Sequence, residues 1–217
     1  MDLELSHEDF TRAVDRTVNE LLESAHIDRP PVDAVALAAH LRLTLDLDPD
    51  FSAHQRQAAA AHAIGEHLRP ELLQRLGIDP NARRALMSES LPRLFTERLL
   101  IPSIWFKEDA ADGDLFALTK RYSTASPEMI AFRFLDLPEP CVVSVVEDDQ
   151  VWRRKSNGVR VRKKLEPPEV ECVRLVSRHS EAQVVRRGGW TVQGWPISSG
   201  GRLRVLLRSV VDEETGG

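Results

Sequence analysis

The chain has 217 residues, of which 42% are hydrophobic and 29% are charged, and its formal net charge is −5. This composition is typical of a globular protein with one domain of moderate size or two small ones, and it excludes an intrinsically disordered chain. The sequence has no run of about 18 apolar residues that would predict a membrane-spanning helix. Its acidic start, MDLELSHEDF, differs from the basic and then apolar start of a secretory signal. We therefore expect a cytoplasmic protein without a membrane partner, in which Cys141 and Cys172 are reduced core residues.

Charge is distributed unevenly along the chain. Residues 1–50 contain twelve acidic residues against four arginines, whereas residues 151–187 contain eleven lysines or arginines against four glutamates. A basic stretch of this kind can form a nucleic-acid-binding face, be the solvated face of a sheet, or dock against the acidic half of the same chain. No aromatic interleaving of the kind found in single-strand-binding proteins accompanies the charges, so nucleic-acid binding is the alternative hypothesis and not the leading one.

The first part of the chain has the periodicity of helices. Residues 7–27 carry apolar side chains at spacings of three and four, which predicts an amphipathic helix. The stretch VDAVALAAHLRL at 32–43 predicts a second helix after a pair of prolines. The alternation Leu-Thr-Leu-Asp-Leu at 43–47 then predicts a short strand.

Helical patterns continue to residue 135. A third helix is predicted over 53–69 and ends at Pro70, since proline lacks the amide donor that a helix interior needs. The stretch 81–100 is also helical in pattern, and Pro92 within it marks either a helix start or a kink. Residues 112–135 predict two short helices around a Ser-Thr-Ala-Ser-Pro turn.

The composition changes near residue 140, where a valine-rich part of the chain with regularly spaced turn signals begins. We expect Trp152, Trp190 and Trp195 to pack within the resulting sheet. The sequence therefore predicts an α+β protein with a mostly helical domain at 1–137 and a β-rich domain at 138–217. The predicted strands are a hairpin at 141–156 that turns at 147–149, and further strands near 170–177, 182–187, 190–195 and 202–211.

Two stretches of the helical part resemble a known family. In the third predicted helix, Ala-His-Ala-Ile-Gly-Glu at 61–66 resembles the first metal-binding helix of the ImmA/IrrE family of zinc-dependent endopeptidases, whose typical line is A-H-E-L-G-H. The stretch ESLPRLFTERLLIP at 89–102 is similar to the family's next motif, E-x-x-A-N-x-F-A-x-x-L-L-M-P. The likeness covers residues 30–137 and implies a zincin-like fold with a small, reduced sheet. In the second motif Pro92 and Arg93 replace Ala-Asn and Ile101 replaces Met, and the residues in register are Glu89, Phe95, Leu99, Leu100 and Pro102.

The resemblance implies a metal site made of His62, Glu66 and Glu89. Residues four apart on a helix lie about 40° from each other, so an H-E-x-x-H motif points two side chains at one ion. In this chain His62 keeps the first ligand position, the carboxylate of Glu66 takes the second, and Glu89 matches the third. His67 lies about 140° around the helix from His62 and cannot replace Glu66. The implied ion is zinc, with manganese or magnesium as alternatives because two of the three ligands are carboxylates.

The chain departs from the family at the general base. Ala63 stands where the family has the glutamate that activates the metal-bound water, and a methyl group cannot accept a proton. Only about ten residues separate Leu43 from Ala53, where the family has further strands against which a peptide substrate can lie. We therefore assign no catalytic residue and expect a weak or inactive metallo-endopeptidase. The resemblance implies regulation through a protein partner or peptide substrate, in the family a transcriptional repressor. It does not cover residues 138–217, for which we expect a sensory or partner-binding role.

Two alternatives stand beside this interpretation. Without the family resemblance, His62 and Glu66 are an ordinary pair on a helix surface, which contributes only about 0.2–0.5 kcal/mol to stability. A function of another class is a nucleic-acid-binding regulatory protein that uses the basic strands at 151–187 and the helices at 112–135.

Overall fold

The computed structural model of the protein describes residues 6–79, 90–199 and 202–211. The chain forms two compact units, Met1–Ser126 and Pro127–Gly217; the first is helical and the second is built on an antiparallel sheet. The predicted α+β class is therefore confirmed. The sheet unit begins before the sequence-based boundary at 138, because it includes a short helix at 127–133 that packs against two of its strands.

Six α-helices form the described part of the first unit. They are α1 His7–Ser24, α2 Ala34–His40, α3 Ala53–Arg75, α4 Leu91–Leu100, α5 Ser103–Asp109 and α6 Leu115–Arg121. Ser6 and Ser52 each form a capping box, with Asp9 and Gln55 respectively, which satisfies backbone amides at the starts of α1 and α3. Helix α3 packs against α2 and α4, and α1 packs against α4. The first three predicted helices are thus confirmed, and α4 starts one residue before Pro92.

The predicted strand at 43–47 does not form, and this stretch is neither helix nor strand. An isolated strand leaves its backbone donors and acceptors unpaired, so it needs a neighbouring strand. The described part of the first unit is otherwise helical and offers no such neighbour. The alternating pattern of 43–47 therefore belongs to a connection between α2 and α3.

Helix α3 continues through Pro70 to Arg75, so the predicted end at Pro70 is wrong. Proline in a helix interior removes one hydrogen bond, here to the carbonyl of Glu66, and costs about 3 kcal/mol. The residues that follow offset this cost: Leu72 and Leu73 are buried, and full burial of one leucine contributes about 1.5–3 kcal/mol. Tertiary packing, and not local propensity, sets the length of this helix.

The second unit is a five-stranded sheet in which every neighbouring pair is antiparallel and the strand order is β2-β1-β5-β4-β3. Its elements are α7 Pro127–Arg133, a 3₁₀ helix Phe134–Asp136, β1 Cys141–Glu147, β2 Gln150–Asn157, α8 Pro167–His179, β3 Gln183–Arg187, β4 Trp190–Ser199 and β5 Arg202–Val211. The predicted hairpin is β1 and β2, and the last three predicted strands are β3, β4 and β5. Strand β1 is buried along its whole length, as expected for a central strand covered on both faces.

The strand predicted near 170–177 is wrong, because these residues belong to helix α8. Valines in this stretch favour strands in sequence-based reasoning. The burial pattern is nevertheless helical: Cys172, Val173 and Val176 are buried, whereas Arg174 is exposed. These three residues pack on the valines of the sheet, and this packing outweighs the strand propensity of the segment.

Both cysteines are free and buried. A Cβ atom added to Gly194 on β4 would lie 2.7 Å from the sulfur of Cys172, so the glycine makes room for α8 on the sheet. Burial raises the pKa of the Cys172 thiol to about 12. The thiol is therefore protonated at neutral pH and unreactive, in agreement with a core residue.

Two of the three tryptophans of the sheet pack as predicted, and the third does not. Trp195 is 4% exposed, and Trp190 packs against the apolar cluster between α8 and the sheet. Trp152 on β2 is 67% exposed, so the prediction that it packs within the sheet is wrong. The pairing of β1 with β2 shifts between Val145 and Val146, so that Trp152 has no partner residue on β1. Such a β-bulge changes the direction of the side chain, which here points into solvent.

A buried ion pair connects α8 to the sheet. The side chains of Arg154 on β2 and Glu169 on α8 are 5% and 0% exposed, and both guanidinium Nη atoms donate to the carboxylate at 2.9 Å. The same carboxylate accepts from Ser209 Oγ at 2.7 Å and from the backbone amide of Glu166 at 2.7 Å. Arg154 also donates to Ser144 Oγ on β1 at 2.7 Å. One pair therefore joins three strands and the start of a helix.

No helix in the described part of the chain is both long and apolar enough to cross a lipid bilayer.

We predict that Glu169→Gln destabilises the protein by about 3–5 kcal/mol, because it leaves the buried Arg154 guanidinium without a counter-charge. The measurement is urea unfolding followed by circular dichroism. The matched control is Glu171→Gln on the same helix, whose pair with Arg187 lies at the surface and contributes only about 0–1 kcal/mol. Equal destabilisation by both variants would contradict the prediction.

Candidate functional site

Helix α3 presents two faces of different character. Ala60, Ala61, Ile64 and Gly65 lie on its buried face. His62 and Glu66 lie on the solvent face, one helical turn apart. The apolar spacing that folds the helix onto its neighbours therefore also places these two polar side chains together in solvent.

The two side chains approach each other at a distance suited to a shared ion. His62 Nε2 lies 3.9 Å from Glu66 Oε1, and the side chains are 53% and 47% exposed. Two ligands of a tetrahedral zinc, each about 2.1 Å from the ion, are separated by about 3.4 Å. A small side-chain rotation therefore brings both atoms within bonding distance of one cation, and the exposure of the pair leaves coordination positions open to water.

An arginine that the sequence analysis did not consider adjoins this pair. Arg69 Nη1 lies 3.6 Å from Glu66 Oε2, on the opposite side of the carboxylate from His62. Its spacing of three residues from Glu66 is the signal that could have identified it. The guanidinium opposes a cation at Glu66 by charge repulsion, so the site is electrostatically weaker than His62 and Glu66 alone suggest.

The third predicted ligand, Glu89, lies outside the described residues. Within the ranges that the structure describes, no group of three His, Cys, Asp or Glu side chains is placed to hold a metal ion. Ala63 is half-buried beside His62, and His67 is exposed. The structure thus brings together the two ligands predicted on α3.

Gly65 explains how α4 approaches the helix that carries the pair. A Cβ atom at Gly65 would lie 3.1 Å from Cα of Pro92 and 3.2 Å from Cβ of Phe95. Because such contacts are tighter than ordinary packing, a side chain at this position would push α4 outwards by a few tenths of an ångström, and glycine allows the close crossing of α3 and α4. The glycine of the motif therefore has a packing role one residue before Glu66.

Other polar clusters of the first unit hold helices together. Ser103 Oγ donates to Asp15 at 2.8 Å and accepts from the buried Arg98 at 2.7 Å, which links α1, α4 and α5. Tyr122 Oη donates to Asp109 at 2.6 Å, and burial together with this carboxylate raises the pKa of the phenol. These groups are engaged with one another, so we assign them a structural role.

A shallow cavity between α1 and the end of α3 is charge-balanced. It is lined by Arg12, Arg16, Glu71 and Arg75, among others. Arg75 and Arg16 both donate hydrogen bonds to Glu20 and lower the pKa of its carboxyl group to about 2. Because its cations already face carboxylates, this cavity is a weaker candidate for ligand binding than the exposed pair on α3.

No protein-family model matches the chain, and no curated protein matches it at a significant level.

We predict that Gly65→Ala destabilises the protein, by up to about 2 kcal/mol. At an open helical position this change stabilises by about 1 kcal/mol, but here overpacking against Pro92 and the buried Phe95 costs about 1–3 kcal/mol. Thermal unfolding by calorimetry measures the difference. A higher melting temperature for Gly65→Ala would show that α4 moves away without cost.

Proposed function

We propose that this chain is a regulatory protein of the ImmA/IrrE metallopeptidase type that binds a divalent metal ion but cleaves peptides weakly or not at all. The observation that carries the proposal is the pair on α3, with His62 Nε2 and Glu66 Oε1 3.9 Å apart on a solvent-exposed helix face. By resemblance to the family, Glu89 supplies the third ligand. Zinc is the first candidate ion, and the second carboxylate makes manganese or magnesium an alternative.

Ala63 limits the chemistry of such a site. A bound divalent ion polarises a carbonyl group and acidifies water, but a positioned general base typically contributes a further factor of about 10²–10⁴ in rate. The side chain of Ala63 accepts no proton, and a Glu66 carboxylate engaged as a ligand is not free to do so. Two carboxylate ligands also neutralise the charge of the ion and weaken it as a Lewis acid.

The connection before α3 supports the same conclusion from substrate binding. A peptide substrate binds a protease of this type most simply as an added strand at an exposed sheet edge. Residues 43–47, which precede α3, are neither strand nor helix. We therefore propose that the protein acts in the cytoplasm by binding a protein partner, in the family a transcriptional repressor, and that the second unit has the sensory or partner-binding role.

Metal binding tests this proposal directly. With the full chain, isothermal titration with zinc is expected to show binding that His62→Ala and Glu66→Gln each weaken by at least about tenfold, as loss of a ligand does. Glu89→Ala should have a similar effect, while His67→Ala, on a different side of the helix, is the matched control and should have none. Absence of zinc binding by the wild type, or binding unaffected by His62→Ala, would reject the site.

Arg69 provides a variant of opposite sign in the same titration. Removal of its charge in Arg69→Gln should strengthen zinc binding by about 3- to 10-fold, since the guanidinium lies 3.6 Å from Glu66 Oε2 and repels a cation there. A weaker affinity would mean that Arg69 positions Glu66 for the ion instead of competing with it.

We further predict that Ala63→Glu alone does not restore efficient peptidase activity. The variant regains a general base, but Glu66 still occupies the second ligand position and no strand precedes α3 in the described residues. Release of fluorescence from labelled casein in the presence of zinc measures the activity, and Ala63→Glu with Glu66→His rebuilds the complete motif as a comparison. Brisk cleavage by Ala63→Glu alone would show that the missing strand is not needed for substrate binding.

A further inference from the structure

We propose that the edge strand β2 and the loop after it, residues 158–164, bind single-stranded nucleic acid. The first observation is the exposed indole of Trp152, which the β-bulge leaves unpaired on this strand. The guanidinium of Arg204, which is ion-paired with Glu147, lies 5.2 Å from the centre of its ring and supports one edge of the indole. A large aromatic ring exposed beside a cation is the arrangement on which unpaired bases stack.

The second observation is a set of cations without counter-charges. Residues 150–165 contain seven lysines or arginines and no acidic residue. Two of these cations are paired within the unit, Arg154 with Glu169 and Arg153 with Glu128 at 3.4 Å. The other five are exposed, and no ion pair engages them in the described part of the chain: Lys155, Arg160, Arg162, Lys163 and Lys164.

The loop that carries four of these cations is anchored at both ends. Where the loop begins, Ser156 Oγ donates a hydrogen bond to the carbonyl of Val159 at 2.5 Å. Where it ends, Leu165 packs against the apolar cluster between α8 and the sheet. Between them Val159 and Val161 are half-buried, while Arg160 and Arg162 are exposed. An anchored loop loses little conformational freedom on binding, so its cations are pre-arranged for an extended anion.

Single-stranded nucleic acid fits these features better than other polyanions do. Stacking on Trp152 requires a base whose face is free, which a duplex does not offer. An acidic peptide presents charges but no base. An anionic membrane surface favours several apolar side chains that insert together, whereas Trp152 is the one exposed apolar side chain of residues 150–164 and the valines of this loop are half-buried. Trp152 and Lys155 are about 10 Å apart along an edge strand, which suits a chain of alternating bases and phosphates.

The test is fluorescence anisotropy of a labelled oligothymidylate of about 12 nucleotides with the full chain, titrated at several salt concentrations. Neutralisation of phosphates by the five cations predicts a slope of log affinity against log salt of about −3.5. Trp152→Ala should weaken binding roughly 5- to 150-fold, as loss of one base–aromatic stack does, with little change in slope. Arg160→Gln with Arg162→Gln should reduce the magnitude of the slope by about 1.4.

The matched control is Arg178→Gln with Arg186→Gln, which removes the same charge from exposed positions on α8 and β3. This control should bind like the wild type. The proposal is overturned if the oligothymidylate does not bind the wild type at about 50 mM salt. It is equally overturned if Trp152→Ala binds normally, or if the control variant weakens binding as much as the loop variant. Tighter binding of a DNA duplex of equal length, of polyglutamate or of phosphatidylserine vesicles than of the oligothymidylate would also overturn it. None of these variants touches α3, so the result is independent of the metal site.

Discussion

The buried pair of Arg154 and Glu169 is the contact on which the second unit depends. Removing two charges from water costs several kcal/mol per ion, and close pairing with additional hydrogen bonds offsets this cost. Here the carboxylate has four donors, from β2, β5 and the start of α8. Because side chains alternate along a strand, Arg154 on the side of α8 leaves Lys155 on the other face, and the bulge adds Trp152 to that face. The internal pair therefore also determines what the edge of the sheet presents outside.

Periodicity in the sequence predicts the elements whose packing agrees with their local propensity. Helices α1 to α3, the β1–β2 hairpin and strands β3 to β5 follow from spacings of 3.6 and 2 residues. The predictions are wrong where contacts between residues far apart in the sequence determine the secondary structure. Residues 43–47 alternate like a strand but have no neighbouring strand, α3 passes through Pro70 because Leu72 and Leu73 are buried, and α8 is rich in valine yet packs as a helix. Local patterns carry no information about such partners.

For the candidate site, too, the sequence predicts what depends on local spacing and not what depends on tertiary contacts. The spacing of His62 and Glu66 is a local property of a helix, so the sequence placed both on one face. The packing role of Gly65 depends on the approach of α4 and could not be read from the motif. The exposure of Trp152 depends on a shift in strand pairing between Val145 and Val146, and strand register is a tertiary property. The basic stretch therefore does include an exposed aromatic side chain, although its sequence pattern predicts that Trp152 packs within the sheet.

Burial and hydrogen bonding distinguish the polar groups that stabilise the fold from those that contribute little to its stability. The cluster around Glu169 is buried and that around Asp15 is partly buried, and both are bonded across several elements, so their chemistry is used in holding the structure. The pair on α3 is half-exposed, and an exposed helical pair contributes only a few tenths of a kcal/mol. The five cations of β2 and its loop are likewise in water, where like charges repel and slightly disfavour folding. Neither group contributes much to stability, and the binding functions proposed for both depend on this exposure to solvent.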